Sequence, residues 1–354
     1  MKKIIVALAL TGLVATVAAT AALATSSKKS ATAEICVLLP DSKSSVRWET
    51  QDRPRLAAAF KRLGDTFSIV NAEGSASTQL NQAQQCLTNG ARVVLLVNLD
   101  SGSGAAIEKL VKAKGMQSID YDRLTLNGSS SYYVSFDNPS VGKLQGQGLV
   151  NCLRKSGKLS SKPVVATLNG SPTDNNAKLF AQGYNGVLKP LYANGTLKKG
   201  PDQSVPKWDN QTALTIFQGM LTKTGNKIDA VLAANDGLGN AAISALKAAG
   251  LPQIPVTGQD ATAQGIQNII AGDQCMTVYK AIKAQAAAAA TVADSVLHAR
   301  PVNTQGKVTN NGTRNVPSVL LTPIAITKNN WRLVVSDGFL PKSAICTGAY
   351  AKYC

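Results

Sequence analysis

From residue 34 onward the chain repeats one local pattern: a short aliphatic or β-branched run, a polar turn, a stretch with helical periodicity, and then the next run. Strands are expected at 35–40, 66–72, 93–99, 117–121 and 132–136, with helices at 53–63, 79–89 and 105–114 between them. Strand–helix–strand alternation of this kind makes successive strands parallel, because a helix returns the chain to the same end of the sheet. A second series begins near Pro163, with strands at 164–168, 230–234 and 256–259 and helices at 176–192, 210–222 and 240–249. The fold class is therefore α/β, built as two similar doubly wound parallel-sheet lobes. Asp137-Asn138-Pro139 reads as a turn between the series. An Ala-rich helix at 281–297 is expected to return to the first lobe, and residues 319–326 to cross once more. The lobes become 34–136 plus 283–322 and 137–282 plus 323–354.

The first 33 residues read as a secretory leader: Lys2-Lys3, an apolar stretch from Ile4, and the small-x-small site Ala31-Thr32-Ala33. Its Ala, Thr and Gly content makes it weakly hydrophobic, so cleavage is expected in preference to an anchor. Cys36 suggests a lipid tether, but Glu34-Ile35 before it are the wrong sizes and charge for that processing. The remaining chain, about 320 residues, suits two lobes and hence one cleft. Formal net charge is +17, and the leader carries four of those charges with no acid. The Lys residues are dispersed, with no Arg-rich or aromatic-interleaved basic run, so nucleic acid is not an expected partner. The basic surface is read as solvated.

Six cysteines in an exported chain point to disulfides, since no CxxC or Cys/His metal spacing is present. Spacing leaves the pairing open; Cys346–Cys354 and Cys36–Cys86 are the expected bridges. Catalytic equipment is sparse. The single histidine, His298, falls at the end of the Ala-rich helix, where the helix dipole accounts for it. There is no GxSxG, HExxH, P-loop or GxGxxG after a strand, and no cofactor or metal is expected. A secreted carbohydrate-active enzyme would need two distant carboxylates to meet in space.

Binding chemistry is better represented. Arg47-Trp48, Asp122-Arg123, Asp174-Asn175, Trp208, Asn235, Asp260 and Lys280 lie at the ends of strand-like runs or the starts of helical ones. In open α/β sheets ligands sit beyond the carboxyl ends of the strands. Carboxylates and amides grip hydroxyl pairs, Arg and Lys donate, and indole rings cover the C–H face of a sugar. Each residue alone has an ordinary reading: a cap, a turn residue, a packed tryptophan, or an Arg123 paired with a neighbouring Asp. The case rests on their joint placement.

Several longer motifs in the same order resemble the periplasmic sugar-binding proteins of ABC importers. They are Lys43-Ser44-Ser45-Val46-Arg47-Trp48, Tyr121-Asp122-Arg123-Leu124, Asp174-Asn175-Asn176-Ala177-Lys178-Leu179-Phe180, Ala234-Asn235-Asp236, Gly258-Gln259-Asp260-Ala261 and Met276-Thr277-Val278-Tyr279-Lys280. The resemblance covers nearly all of the mature chain and implies the type I periplasmic-binding-protein fold, two lobes joined by a three-crossover hinge. It is strongest to the xylose-binding branch. The Lys-Ser-Ser-x-Arg-Trp opening is similar to the branch that accepts several monosaccharides and feeds a membrane sensor. The resemblance implies that Arg47, Trp48, Asp122 and Arg123 from the first lobe and Asp174, Asn175, Trp208, Asn235, Asp260 and Lys280 from the second lobe or hinge hold the sugar. By their chemistry Arg47, Arg123 and Lys280 donate to its oxygens, Asp174 and Asp260 accept, and Trp48 and Trp208 stack. An ABC permease is the implied partner, and the chain is expected to be monomeric. The cysteines and the tail after Cys346 depart from the pattern.

Overall fold

Strand β1 (Ile35–Leu39) is buried along its whole length because it is paired on both sides. Parallel β2 (Phe67–Asn71) lies on one edge and parallel β3 (Val93–Leu96) on the other. These coordinates are a computed structural model, which describes residues 32–354; the expected leader lies outside them apart from Thr32 and Ala33. Helices α1 (Arg53–Leu63), α2 (Ala76–Thr88) and α3 (Ser101–Ala113) connect the strands, and β4 (Gln117–Tyr121) and β5 (Tyr132–Phe136) extend the sheet. Side chains alternate across it. Ile35, Val37 and Leu39 join Leu56 and Phe60 of α1, while Cys36 and Leu38 face Ala83 of α2 and Ile107 and Val111 of α3. That is double winding read directly from a period of two.

The second series runs α4 (Asn138–Lys155), β6 (Val164–Asn169), α5 (Asn175–Ala193), β7 (Lys198–Ser204), α6 (Asn210–Lys223), β8 (Ala230–Ala233), α7 (Asp236–Ala248), α8 (Ala263–Ala271) and β9 (Thr277–Tyr279). Its parallel sheet is ordered β7-β6-β8, and the expected strand at 256–259 forms only a bridge between Val256 and Val231. The chain then returns through α9 (Ile282–Leu297), β10 (Val308–Asn310) and β11 (Asn315–Leu321) and ends beyond β12 (Ile324–Ile326). The first sheet thereby reaches seven strands, β10-β11-β5-β4-β3-β1-β2. Ala286, Ala289, Ala290 and Ala293 let α9 lie close against it.

The chain passes between the sheet systems after Phe136, after Tyr279 and after Leu321. Phe136, Tyr279, Ile282 and Ile326 share one apolar core with Ile266, Ile269 and Ile270 of α8 and with Trp331, Val334 and Phe339 of the tail. Two α/β sheet systems crossed three times by the chain are the architecture that the resemblance to type I periplasmic binding proteins implied. Three disulfides are formed: Cys36–Cys86, Cys346–Cys354 and Cys152–Cys275.

Helices α2, α3 and α7 begin earlier than their periodicity suggests, each at a capping residue: Ser75, Asp100 and Asn235 accept from backbone N–H groups of the first turn. Periodicity missed α4 because Gly142, Gly146 and Gly148 dilute it. The glycines are there for packing. A Cβ at Gly142 would stand 2.0 Å from the Phe180 carbonyl oxygen, and one at Gly146 3.2 Å from Tyr184 Cα. Strand β7 was missed because it is polar and exposed throughout much of its length, as edge strands are.

Candidate functional site

The ends of the two strand systems face one another across a narrow cleft with about 30 Å³ of free volume. Its first wall carries Ser44, Ser45, Arg47 and Trp48 from the segment after β1, and Asp122 and Arg123 from the end of β4. Its second wall carries Asp174, Asn176, Phe180, Trp208, Asn235, Gln259 and Asp260, with Lys280 in the passage between β9 and α9. Nine of the ten expected residues therefore meet in one place.

Asn175 does not. Asp174 caps α5 by accepting from the backbone N–H of Asn176 (2.9 Å). The next two residues are then about 100° apart around the helix, which turns Asn176 into the cleft and Asn175 onto the outer groove with Lys178 and Gln182. That groove is larger, about 870 Å³, but it is open, running between α5 and the segments at 126–127 and 310–312. Asn176 takes the inward role: its Nδ2 donates to both the carbonyl and Oδ1 of Asp122 at 3.1 Å, and Asn138 donates to its Oδ1 at 2.8 Å. Ser44, Ser45, Phe180 and Gln259 are also cleft residues beyond the expected set. Like Asn176, each lies within one of the motifs above, so the signal was present, but neighbouring residues were favoured for their charge or size.

The charged groups are already paired. Three cations, Arg47, Arg123 and Lys280, face three carboxylates, Asp122, Asp174 and Asp260. Arg47 Nη1 donates to Asp122 Oδ2 at 2.9 Å, and Arg123 Nε lies 3.1 Å from Asp174 Oδ2. Burial pushes the Asp122 carboxyl up, but Arg47, Lys280 and Arg123 outweigh it and hold the group well below the usual carboxylate range. It is an anion at any working pH.

Lys280 is different. Its Nζ is 3.6 Å from Asp122 Oδ2 and 3.5 Å from Asp260 Oδ1, too far for good hydrogen bonds. Asp260 Oδ1 is buried with no hydrogen-bond partner. Both residues are nearly inaccessible, 4% and 7% exposed. A buried ammonium and a buried carboxylate oxygen with free hydrogen-bonding capacity are costly unless something in the cleft completes them.

The aromatic walls are fixed by polar tethers at their edges. Trp208 Nε1 donates to Asp174 Oδ2 at 3.0 Å, and its ring meets Phe180 edge-on, centroids 6.4 Å apart. A Cβ at Gly170 would come within 2.0 Å of the indole, so only glycine admits the ring there. Trp48 Nε1 donates to Ser44 Oγ at 3.1 Å, and the Arg47 guanidinium carbon lies 4.5 Å from its ring centroid. Asn235 caps α7 through Oδ1, leaving its Nδ2 as a donor. Three of the eleven non-glycine residues with positive φ among the described residues line the cleft, Asp122 (φ 63°), Trp208 (φ 57°) and Asp260 (φ 97°), a conformation that costs roughly 1–3 kcal/mol.

The sequence model for the periplasmic binding protein domain matches residues 35–301. The chain belongs to the periplasmic binding protein family. This periplasmic binding protein is 37% identical over 301 residues to the D-xylose-binding periplasmic protein of Escherichia coli K12, covering 84% of this chain and 88% of that one. It is 32% identical over 312 residues to the multiple sugar-binding periplasmic receptor ChvE of Rhizobium radiobacter, covering 84% and 87%. Among solved structures, an ABC transporter solute binding protein from Clostridium phytofermentans with bound β-D-glucose superposes with a TM-score of 0.81 at 27% identity, covering 88% of this chain and 99% of that one. The family binds solutes and does not transform them, so the protein is not an enzyme. Among the described residues no helix is long and apolar enough to cross a membrane.

Proposed function

We propose that this protein is exported and is the monosaccharide-binding subunit of an ABC importer, with D-xylose as its ligand. The observation that carries the reading is Asp260 Oδ1, buried without a hydrogen-bond partner and 3.5 Å from Lys280 Nζ, inside a cleft walled by Trp48 and Trp208. Three positive and three negative groups cancel, so a neutral ligand suits the site better than a sugar acid or an amino acid. A hydroxyl donates to Asp260 Oδ1 and accepts from Lys280 through the same oxygen, which is what a polyhydroxylated ring offers. The indoles supply flat apolar surface for its C–H face. Identity to the D-xylose-binding protein, 37%, supports xylose over other sugars.

The mechanism is a population shift. A ligand touching Asp122 and Asp260 contacts both walls only when they are together, so it stabilises closure by its differential affinity for that form. Lys280 lies in one of the three passages between the sheets and couples ligand contact to the hinge. The Arg123–Asp174 pair and the Asn176–Asp122 bonds also join the two walls directly, so closure is supported by the protein itself as well as by the sugar. The closed form then presents both lobes to the permease.

Isothermal titration with D-xylose, D-glucose, L-arabinose, D-galactose and D-ribose tests this. One-to-one binding of xylose in preference to the rest supports the dedicated reading. Comparable binding of several favours a second reading, a receptor of broad monosaccharide range feeding a membrane sensor, to which the 32% identity with ChvE lends weight. Absence of heat with all five overturns both.

A further inference from the structure

Asp52 is fully buried behind the cleft and lines no part of it. Residues Trp48–Asp52 form a single wide turn in which the Arg53 N–H reaches the Trp48 carbonyl, five residues back. Such π turns are rare and often mark functional sites. This one brings Arg47 and Asp52 face to face. Arg47 Nε donates to Asp52 Oδ2 at 2.8 Å and Nη2 to Oδ1 at 2.8 Å, a forked pair that fixes the guanidinium plane. Tyr121 donates its hydroxyl to Oδ1 at 2.6 Å and steadies the carboxylate in turn. Nη2 also donates to Gln285 Oε1 at 3.0 Å, from α9, and Nη1 to Asp122 at 2.9 Å.

A guanidinium has five N–H donors. Four are committed: Nε to Asp52, both on Nη2 to Asp52 and Gln285, and one on Nη1 to Asp122. We propose that Asp52 is a positioning residue of the sugar site, acting through Arg47: it locks the guanidinium so that a single Nη1–H faces the ligand. This rests on the reading of the cleft as the ligand site. Arg47 then reads one sugar oxygen in one direction, and a guanidinium freed from Asp52 would offer a rotating fork that fits many hydroxyl patterns. Asp52 thus restricts which sugars are accepted without touching any of them.

The test is a double-mutant cycle by isothermal titration of D-xylose into wild type, Arg47→Met, Asp52→Asn and the double variant, with melting temperatures as the fold control. Each single variant is expected to weaken binding by roughly 10- to 100-fold, the scale of losing a charge-assisted hydrogen bond. The double variant should bind no more weakly than Arg47→Met alone, and Asp52→Asn should narrow the affinity ratio between xylose and glucose. Losses that multiply in the double variant, or an Asp52→Asn protein with unchanged affinity and selectivity, overturn the proposal. Wild-type binding that survives Arg47→Met also overturns it while leaving the sugar-binding function standing; no binding by wild type overturns that function itself. If Asp52→Asn fails to fold, Gln285→Met, nearly isosteric, enters the same cycle with the same expected non-additivity, and multiplying losses there count equally against the proposal.

Discussion

Replacing Asp260 by asparagine isolates the ligand contribution of one oxygen. The change conserves shape, and asparagine tolerates the left-handed backbone at this position, φ 97°. In the free protein little is disturbed. Lys280 keeps Asp122 at 3.6 Å, and Ser45 Oγ, 3.4 Å from Oδ2, still has an acceptor. With sugar bound the difference is larger, because a hydroxyl that donated to an unpartnered carboxylate oxygen now donates to a neutral amide. A hydrogen bond to a charged group contributes about 1.5–3 kcal/mol, against about 1 kcal/mol for a neutral one. The expected penalty is therefore about 1–2 kcal/mol, or roughly 5- to 30-fold in Kd. Isothermal titration gives the affinity, and a thermal melt without sugar gives the stability, expected to change little because Lys280 keeps Asp122 as its counter-charge. An unchanged Kd would refute the argument that Asp260 Oδ1 awaits a ligand hydroxyl. A large loss of sugar-free stability would show that the carboxylate serves the fold instead.

Glu108 and Asp120 are buried carboxyls; burial raises both pKa values, and the like charge of Glu108 adds to the rise at Asp120, which is strong. Folded values above unfolded ones mean stability that is full below the unfolded pKa and lost as pH rises through the folded ones; Glu108→Gln, which removes the like charge beside Asp120 and does not titrate, should shrink the fall in melting temperature as pH rises from acid to neutral, and an unaltered fall would count against this pair as its source. Removing Cys152–Cys275, which spans 123 residues, should destabilise the unreduced protein more than removing Cys346–Cys354, which spans 8, by about 5 against about 2.5 kcal/mol if chain entropy dominates; denaturant melts of the paired Ser variants rank them. Gly142→Ala places a methyl 2.0 Å from a backbone oxygen at Phe180, so α4 and α5 must part. A loss of roughly 1–3 kcal/mol is expected, and since Phe180 lines the cleft, sugar affinity should fall with it; a melt and a titration unchanged from wild type would show that the helices can part without cost.

The parallel sheets were legible because β1 and β3 are apolar runs of the length that doubly covered strands require, and β1 sits within 35–40, where it was expected. What escaped was governed by partners distant in sequence. No local pattern in 138–155 announces α4, since its glycines answer to Phe180 and Tyr184 on another helix. Charged and aromatic cleft residues stood out as clusters after strands. The choice between Asn175 and Asn176 did not, because it depends on the helical phase that Asp174 sets by capping α5. Asp52 gave no signal at all: its place in the site exists only because a wide turn at Trp48–Asp52 folds it back onto Arg47.

The distribution of strain adds a further constraint on how the cleft works. Asp122, Trp208 and Asp260, each with a left-handed backbone, are tethered around the cleft: Asp122 through its carbonyl, which accepts from Tyr133, Ser135 and Asn176, and the Trp208 indole through Asp174. Asp260 is held by its N–H, which donates to the Val278 carbonyl two residues before Lys280. Two of these tethers, Asn176 to Asp122 and Arg123 to Asp174, run between the walls. Opening the cleft therefore releases Asp122 from Asn176 and parts Arg123 from Asp174, the residue that holds Trp208. Ligand recognition and closure draw on the same side chains, so a substitution that weakens one should rarely leave the other untouched.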